Sequence, residues 1–253
     1  EFANKVGELC PTFCVMENVP GLVRTEKHLA YFRRVLGVLR REHGYLADWR
    51  ILNSLEYGVA QSRERVFVIG VRRDVLNEEF VERLGNKRHG WFPWPAPSYP
   101  NVSELSWPGT SKFGITPPLP DEIPIELTVW PLVGGSDDPE TLANGMDYFT
   151  PYSKKFRVRA EGDVFSKSFK RLHRYRYSPT AWYGNNEVHL HPWKPRRLSV
   201  REALRIQSVP DSYSLPDEAP LSKKFKVVCN GVSCQLAEHI ARSVKKFIRE
   251  STQ

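Results

Sequence analysis

The chain opens with short apolar runs around one clear amphipathic period. Thr12-Phe13-Cys14-Val15-Met16 predicts a buried strand. Leu29, Phe32, Leu36 and Leu39 then recur at three- and four-residue steps, the spacing of one helix face. Thr25 stands where an N-cap belongs, Glu26 suits the positive end of the helix, and Gly44 can close it. Trp49 to Leu55 predicts a second strand and Tyr57 to Gln61 a turn. Val66-Phe67-Val68-Ile69-Gly70-Val71 predicts a third strand, apolar on both faces as a central strand must be. Strand, helix, strand, strand is an α/β order.

The pattern lapses near Arg72. From Trp91 to Pro139 the chain is dense in Pro, Trp, Gly and Ser, and Trp91-Phe92-Pro93-Trp94-Pro95-Ala96-Pro97 cannot be helical. An irregular second domain with short strands is expected there. Lys154 to Tyr177 is a basic run interleaved with aromatic residues. Periodicity returns with Ser199 and Glu202, which are spaced as a capping box, and Pro210 ends the helix they start. A last helix is expected from about Ser233, with Leu236, Ile240, Val244 and Phe247 as its apolar stripe. The chain shows no internal repeat.

Composition narrows the partner. The net charge of +8 over 253 residues favours a polyanion, because basic surface attracts phosphate at long range. No apolar run approaches the ~20 residues that span a bilayer, and no secretory leader opens the chain, so no membrane role and a cytoplasmic location are expected. Cys10, Cys14, Cys229 and Cys234 read as small buried hydrophobes in a reducing cytosol. Their spacing does not suit zinc, and His189 with His191 has no third ligand in view, so no metal is expected.

Two segments carry candidate chemistry. Glu17 ends the first apolar run, in Glu17-Asn18-Val19-Pro20-Gly21-Leu22. Arg63 and Arg65 open another, in Gln61-Ser62-Arg63-Glu64-Arg65-Val66. A carboxylate and two guanidiniums at strand ends suit a ring that needs a proton at one edge and hydrogen-bond donors at another.

In this order, the two segments resemble the DNA (cytosine-5) methyltransferases. Two later stretches agree. Arg196 to Asp211 resembles the family's ninth motif, whose helix props the target-recognition region, with Ser178-Pro179-Thr180 and the Gly184 to Pro192 stretch as lead-in. Asn230-Gly231-Val232 resembles the tenth, which lines the S-adenosylmethionine pocket. The resemblance covers about residues 6–75 and 170–250.

The resemblance implies a set of roles. Glu17 would hold N3 and the exocyclic amine of a flipped cytosine, and Arg65 its O2. Arg63 would support the nucleotide or its backbone, and Asn230 and Val232 would contact S-adenosylmethionine. A restriction-modification setting would follow, and the basic run itself, through Arg171, Arg174 and Arg176, is the candidate for contacts to double-stranded DNA. The fold implied is part of a doubly wound, Rossmann-like sheet with a smaller, irregular target-recognition domain. Residues 1–72 and 222–253 would form the catalytic part, and 73–221 the recognition part.

The departures are equally specific. The tenth motif usually reads Gly-Asn-x-Val-Pro, whereas here it reads Cys229-Asn230-Gly231-Val232-Ser233-Cys234. The family's Gly-rich cofactor turn and the Pro-Cys loop of its nucleophile are not found. Cys10-Pro11 is the reverse dipeptide, so no nucleophile is assigned. An incomplete enzyme, inactive alone, is therefore expected, with the missing N-terminal part supplied in cis or as a second subunit. The alternatives are the DNA-recognition subunit of a split methyltransferase and a non-catalytic DNA-binding remnant.

Overall fold

The structure, a computed structural model, describes residues 1–135, 137–180 and 187–252. The first part of the lead-in stretch, 184–186, lies outside the described residues. In chain order the elements begin with α1 (Phe2–Leu9), β1 (Phe13–Asn18), a short α2 (Gly21–Arg24), α3 (Glu26–Arg41) and β2 (Tyr45–Asn53). Next come β3 (Gln61–Ser62), β4 (Glu64–Arg72), α4 (Glu78–Leu84), and the short α5 (Trp130–Val133) and α6 (Lys155–Val158). The order ends with β5 (Ser178–Pro179), α7 (Val200–Ile206), α8 (Leu221–Asn230) and α9 (Cys234–Ser251).

The chain divides into two units. One holds Glu1–Asn53, Glu64–Ala96 and Glu238–Gln253; the other holds Ser54–Arg63 and Pro97–Ala237. The class is α/β, as the strand and helix order implies.

In the first unit, β4 lies between β1 and β2 and is antiparallel to both. β1 and β2 therefore run the same way, joined by α3, with β4 inserted against them. This central position explains why Val66 to Val71 is apolar on both faces and fully buried. α1 and α3 cover one face through Val6, Phe32, Val35, Leu36 and Leu39, packed on Tyr45, Ala47 and Val68. Burying a side chain such as Leu39 contributes about 1.5–3 kcal/mol. Gly70 is required on this face, since a Cβ there would lie 2.4 Å from Cys14 Sγ.

Aromatic rings close the other face. Phe247 of α9 packs edge-on against Phe13 and Phe80, with centroids 6.0 and 5.0 Å away, and meets Trp91 and Phe92 at 5.5 and 5.7 Å.

Several boundaries differ from expectation. Thr25 is the N-cap residue of α3, as expected, but its side chain makes no capping bond; its hydroxyl donates to the Gly21 carbonyl at 2.9 Å and closes α2 instead. β2 starts at Tyr45, four residues before Trp49, because its early part includes a buried acid that broke the apolar pattern. That acid, Asp48, accepts from the amides of Gly90 (3.1 Å) and Phe92 (3.0 Å) and from Trp94 Nε1 (3.3 Å), with His89 Nδ1 at 2.5 Å. It ties the Pro- and Trp-rich segment to the sheet. This is why 73–96 belongs with the first unit and not with the expected recognition domain of 73–221. Residues 54–63 and 222–237, expected in the catalytic part, belong to the second unit.

The second unit has little regular structure. β3 and β5 make a parallel pair of two residues each. Its core gathers Val129, Leu172, Val188, Leu198, Leu204 and Phe225. α7 starts at the expected capping box: the Glu202 amide donates to Ser199 Oγ, and the Ser199 amide donates to Glu202 Oε2 at 2.8 Å.

Candidate active site

Strand register brings Glu17 and Arg65 together. Glu17 pairs with Phe67 across β1 and β4, so Arg65 is its diagonal neighbour on the same face. Arg65 Nε lies 2.8 Å from Glu17 Oε1, with the side chains 11% and 26% exposed. Arg65 Nη1 also donates to the Glu64 carbonyl at 2.7 Å. Beside them, Arg24 grips Glu64 through two bonds of 2.7 and 3.0 Å, which anchors the turn after Glu17. An acid and a guanidinium thus stand side by side, oriented by backbone and still open to solvent.

Arg63 is placed differently from expectation. Its side chain is buried in the second unit, and Nη2 donates to the carbonyls of Cys229 (2.7 Å) and Gly231 (2.8 Å). Arg63 falls in the break between β3 and β4, so strand alternation does not hold it on the face of Arg65, and its Nη2 is spent on backbone carbonyls. Arg63 shapes the turn after α8. Ser54 and Ser233 hydroxyls bond there at 2.9 Å, and the Cys234 amide donates to the Gln207 carbonyl at 3.3 Å. On this braced turn Asn230 is exposed and Val232 half-buried.

The basic run also behaves differently from expectation. Arg171 is buried and donates to the carbonyls of Arg159 (2.9 Å), Phe156 (2.5 Å), Lys194 (3.1 Å) and His191. Its guanidinium lies 4.2 Å from the Phe113 ring centre, and burial pulls its pKa down to about 10. Arg174 is buried against Glu161, with bonds of 2.9 Å from both Nε and Nη2, and stacks 4.7 Å from the Trp193 ring. Arg176 is half-buried and donates to the Pro108 carbonyl at 3.0 Å. Arg171 is therefore a strut, because loops without strand partners leave carbonyls unpaired and a guanidinium with five donors can meet several at once, and Arg174 is held by the buried Glu161 carboxylate. The interleaved aromatics were the available signal, since alternation with rings marks a packed segment. The exposed cations of this region are Lys154, Lys155, Arg157 and Lys167.

The remaining candidates are quiet. His189 and His191 are buried; burial, then Lys170 and Arg197, push His189 down to about 3. His191 Nδ1 accepts from the Lys194 amide at 3.0 Å. The cysteines are free but not buried as expected: Cys10 and Cys234 are exposed, and Cys14 and Cys229 partly so. Burial pushes the Cys14 thiol up to about 11, away from thiolate reactivity. Among the described residues no helix is long and apolar enough to cross a membrane.

The likeness to solved structures is one of fold. Spodoptera frugiperda DNMT2 matches with a TM-score of 0.57 and 14% identity, over 97% of this chain and 71% of that one. The S. pombe Dnmt2 methyltransferase matches at 0.53 and 12%, over 94% and 68%. The C-5 cytosine-specific DNA methylase family matches residues 1–246, and the chain belongs to that family. A relative, the type II methyltransferase M.NmeDI of Neisseria meningitidis serogroup C, is 42% identical over 94% of this chain and 54% of its own length. Another, M.MthTI of Methanothermobacter thermautotrophicus, is 28% identical over 97% of this chain and 69% of its own. The chain thus spans about half the length of the Neisseria relative.

Proposed function

We propose that this chain supplies the base-holding and DNA-recognition parts of a cytosine-5 DNA methyltransferase. The observation that carries this reading is the Glu17–Arg65 contact of 2.8 Å. On cytosine's pairing edge the exocyclic amine, N3 and O2 lie in a row. A carboxylate beside a guanidinium presents acceptor and donor in the matching order. Glu17 takes the amine and N3, holding a proton at N3 as charge builds there; Arg65 turns its guanidinium toward O2. The cytosine must leave the duplex stack to reach them.

S-adenosylmethionine, when bound, supplies the methyl group. The braced turn fits one side of such a cofactor. Asn230 offers an exposed amide, Val232 an apolar edge, and Arg63 holds the carbonyls behind them in place. The Gly-rich and Pro-Cys segments come from further sequence, in cis or in a second chain, and this chain alone is inactive. Lys154, Lys155, Arg157 and Lys167, which are exposed, take over the duplex phosphate contacts expected of Arg171 and Arg174.

The test is reconstitution with the N-terminal part of the Neisseria relative, followed by single-turnover transfer of labelled methyl to duplex DNA. Methylation at cytosine is expected from the complex and none from the chain alone. Glu17→Gln and Arg65→Ala should each slow transfer on the order of 100-fold or more while duplex binding survives. Wild-type rates in both variants overturn the assignment.

A further inference from the structure

A second charged site lies at the other end of the sheet. An open cavity of about 410 Å³ is lined by Arg33, Arg40, Arg41, Arg73, Lys87 and Arg88. All six belong to the first unit. None lies in the ion pairs found among the described residues, and no carboxylate lines the cavity. The nearest acid in influence, Asp48, is fully buried and occupied by the loop amides described above. Arg40 is fixed in place, Nη2 donating to the carbonyls of Ala47 (2.6 Å) and Arg88 (2.9 Å). Burial lowers its pKa; Asp48 opposes that, and Arg88 and Arg73 add to it. The other five cations are exposed.

The arrangement is extended. Arg33, Gly37, Arg40 and Arg41 fall on one face of α3, and the eight steps from Arg33 to Arg41 rise about 12 Å. Gly37 leaves room for Arg41 to lie back along the helix, because a Cβ there would meet Arg41 Nη2 at 2.7 Å. One phosphate cannot reach both ends of such a rail. A DNA strand, with a phosphate every ~3.4 Å of axis, would place about three along it. The cavity wall at Ala47 pairs with Gly70, five residues along β4 from Arg65, or roughly 17 Å from the base-holding pair.

We propose that this cleft is a second, non-catalytic site for the phosphodiester backbone of duplex DNA, bound without reading sequence. The choice of DNA rests on the function proposed above. The cation cluster itself does not: five exposed like charges without counter-ions raise the local concentration of any polyphosphate.

The test uses the whole chain and an alternating dA·dT duplex, followed by fluorescence anisotropy across a salt series. A duplex without cytosine is no methylation substrate, so the result stands whether or not reconstituted methylation succeeds. Arg33→Ala, Arg41→Ala and Arg88→Ala together remove three exposed cations and leave Arg40 in place. The slope of log affinity against log salt should become shallower by about 2–3, near 0.9 for each phosphate no longer neutralised. Lysine at the same three positions should preserve it. Alanine at Lys245, Lys246 and Arg249 removes equal charge elsewhere on the unit and should change the slope by less than about 1. Equal slopes in both alanine sets, or an unchanged slope in the first, overturn the proposal. So does tripolyphosphate binding that is abolished in the first set while duplex binding stays intact, which would mark a compact polyphosphate site. Tighter, equally cleft-dependent binding of duplex RNA would overturn the assignment to DNA.

Discussion

The two units solve the same problem by different means. In the first, backbone carbonyls are met by a sheet ladder, six residue pairs between β1 and β4 and nine between β2 and β4. In the second, pairing between strands among the described residues amounts to two residue pairs and a few isolated bridges, and side chains take over. Arg63, Arg171, Arg176, Arg197 and Arg201 each donate to at least one main-chain carbonyl there. Arginine in an irregular unit is thus structural material, and a basic composition overstates the surface left for DNA. At the sheet, among the described residues, Arg40 alone of the cleft arginines is tied to backbone carbonyls, and Arg33, Arg41, Arg73 and Arg88 stay exposed.

Removing a strut should therefore hurt far more than disturbing a ladder contact. Arg171→Ala leaves four carbonyls without a donor and should destabilise the chain by about 3–5 kcal/mol, read by urea unfolding. Hydrogen exchange should quicken around Arg171 and Leu190 before it does in β4. If Arg171→Ala costs under about 1 kcal/mol and leaves duplex binding weakened instead, Arg171 is a DNA contact and the contrast fails.

In the sheet, Gly70→Ala should cost about 1–3 kcal/mol through its clash with Cys14 Sγ. Adding Cys14→Ala should recover most of that stability. A deficit that persists in the double variant would point to backbone conformation and not to the packed face.

Acid should weaken the second unit first. The folded pKa of His189 is depressed to about 3 by burial, while in the unfolded chain it returns to about 6.5. The unfolded state then binds the extra proton, so stability is intact above about pH 6.5 and falls below it, by up to about 1.4 kcal/mol per pH unit. His191, also lowered by burial, adds to the slope. His189→Gln should flatten the pH dependence of the urea midpoint between about pH 6.5 and 5. An unaltered dependence would assign it to other groups.

Much of this protein was written locally. The apolar run at Val66 to Val71, the stripe of α3, the Ser199–Glu202 box and the last helix follow from periodicity and capping, which act within a few residues. Glu17 and Arg65 were legible for the same reason: each ends an apolar strand, and two strand ends are natural neighbours in a sheet. What the sequence could not reveal was which partner each long polar side chain would choose. Arg63 and Arg65 stand two positions apart, yet one enters the second unit and the other faces Glu17. Arg171 resembled a phosphate contact until the fold brought four distant carbonyls around it. Asp48 lay outside the expected strand, and its place in β2 depends on amide donors from the loop at Gly90 to Trp94. Such choices depend on contacts far apart in the chain, where the need to satisfy buried polar groups outweighs any local preference.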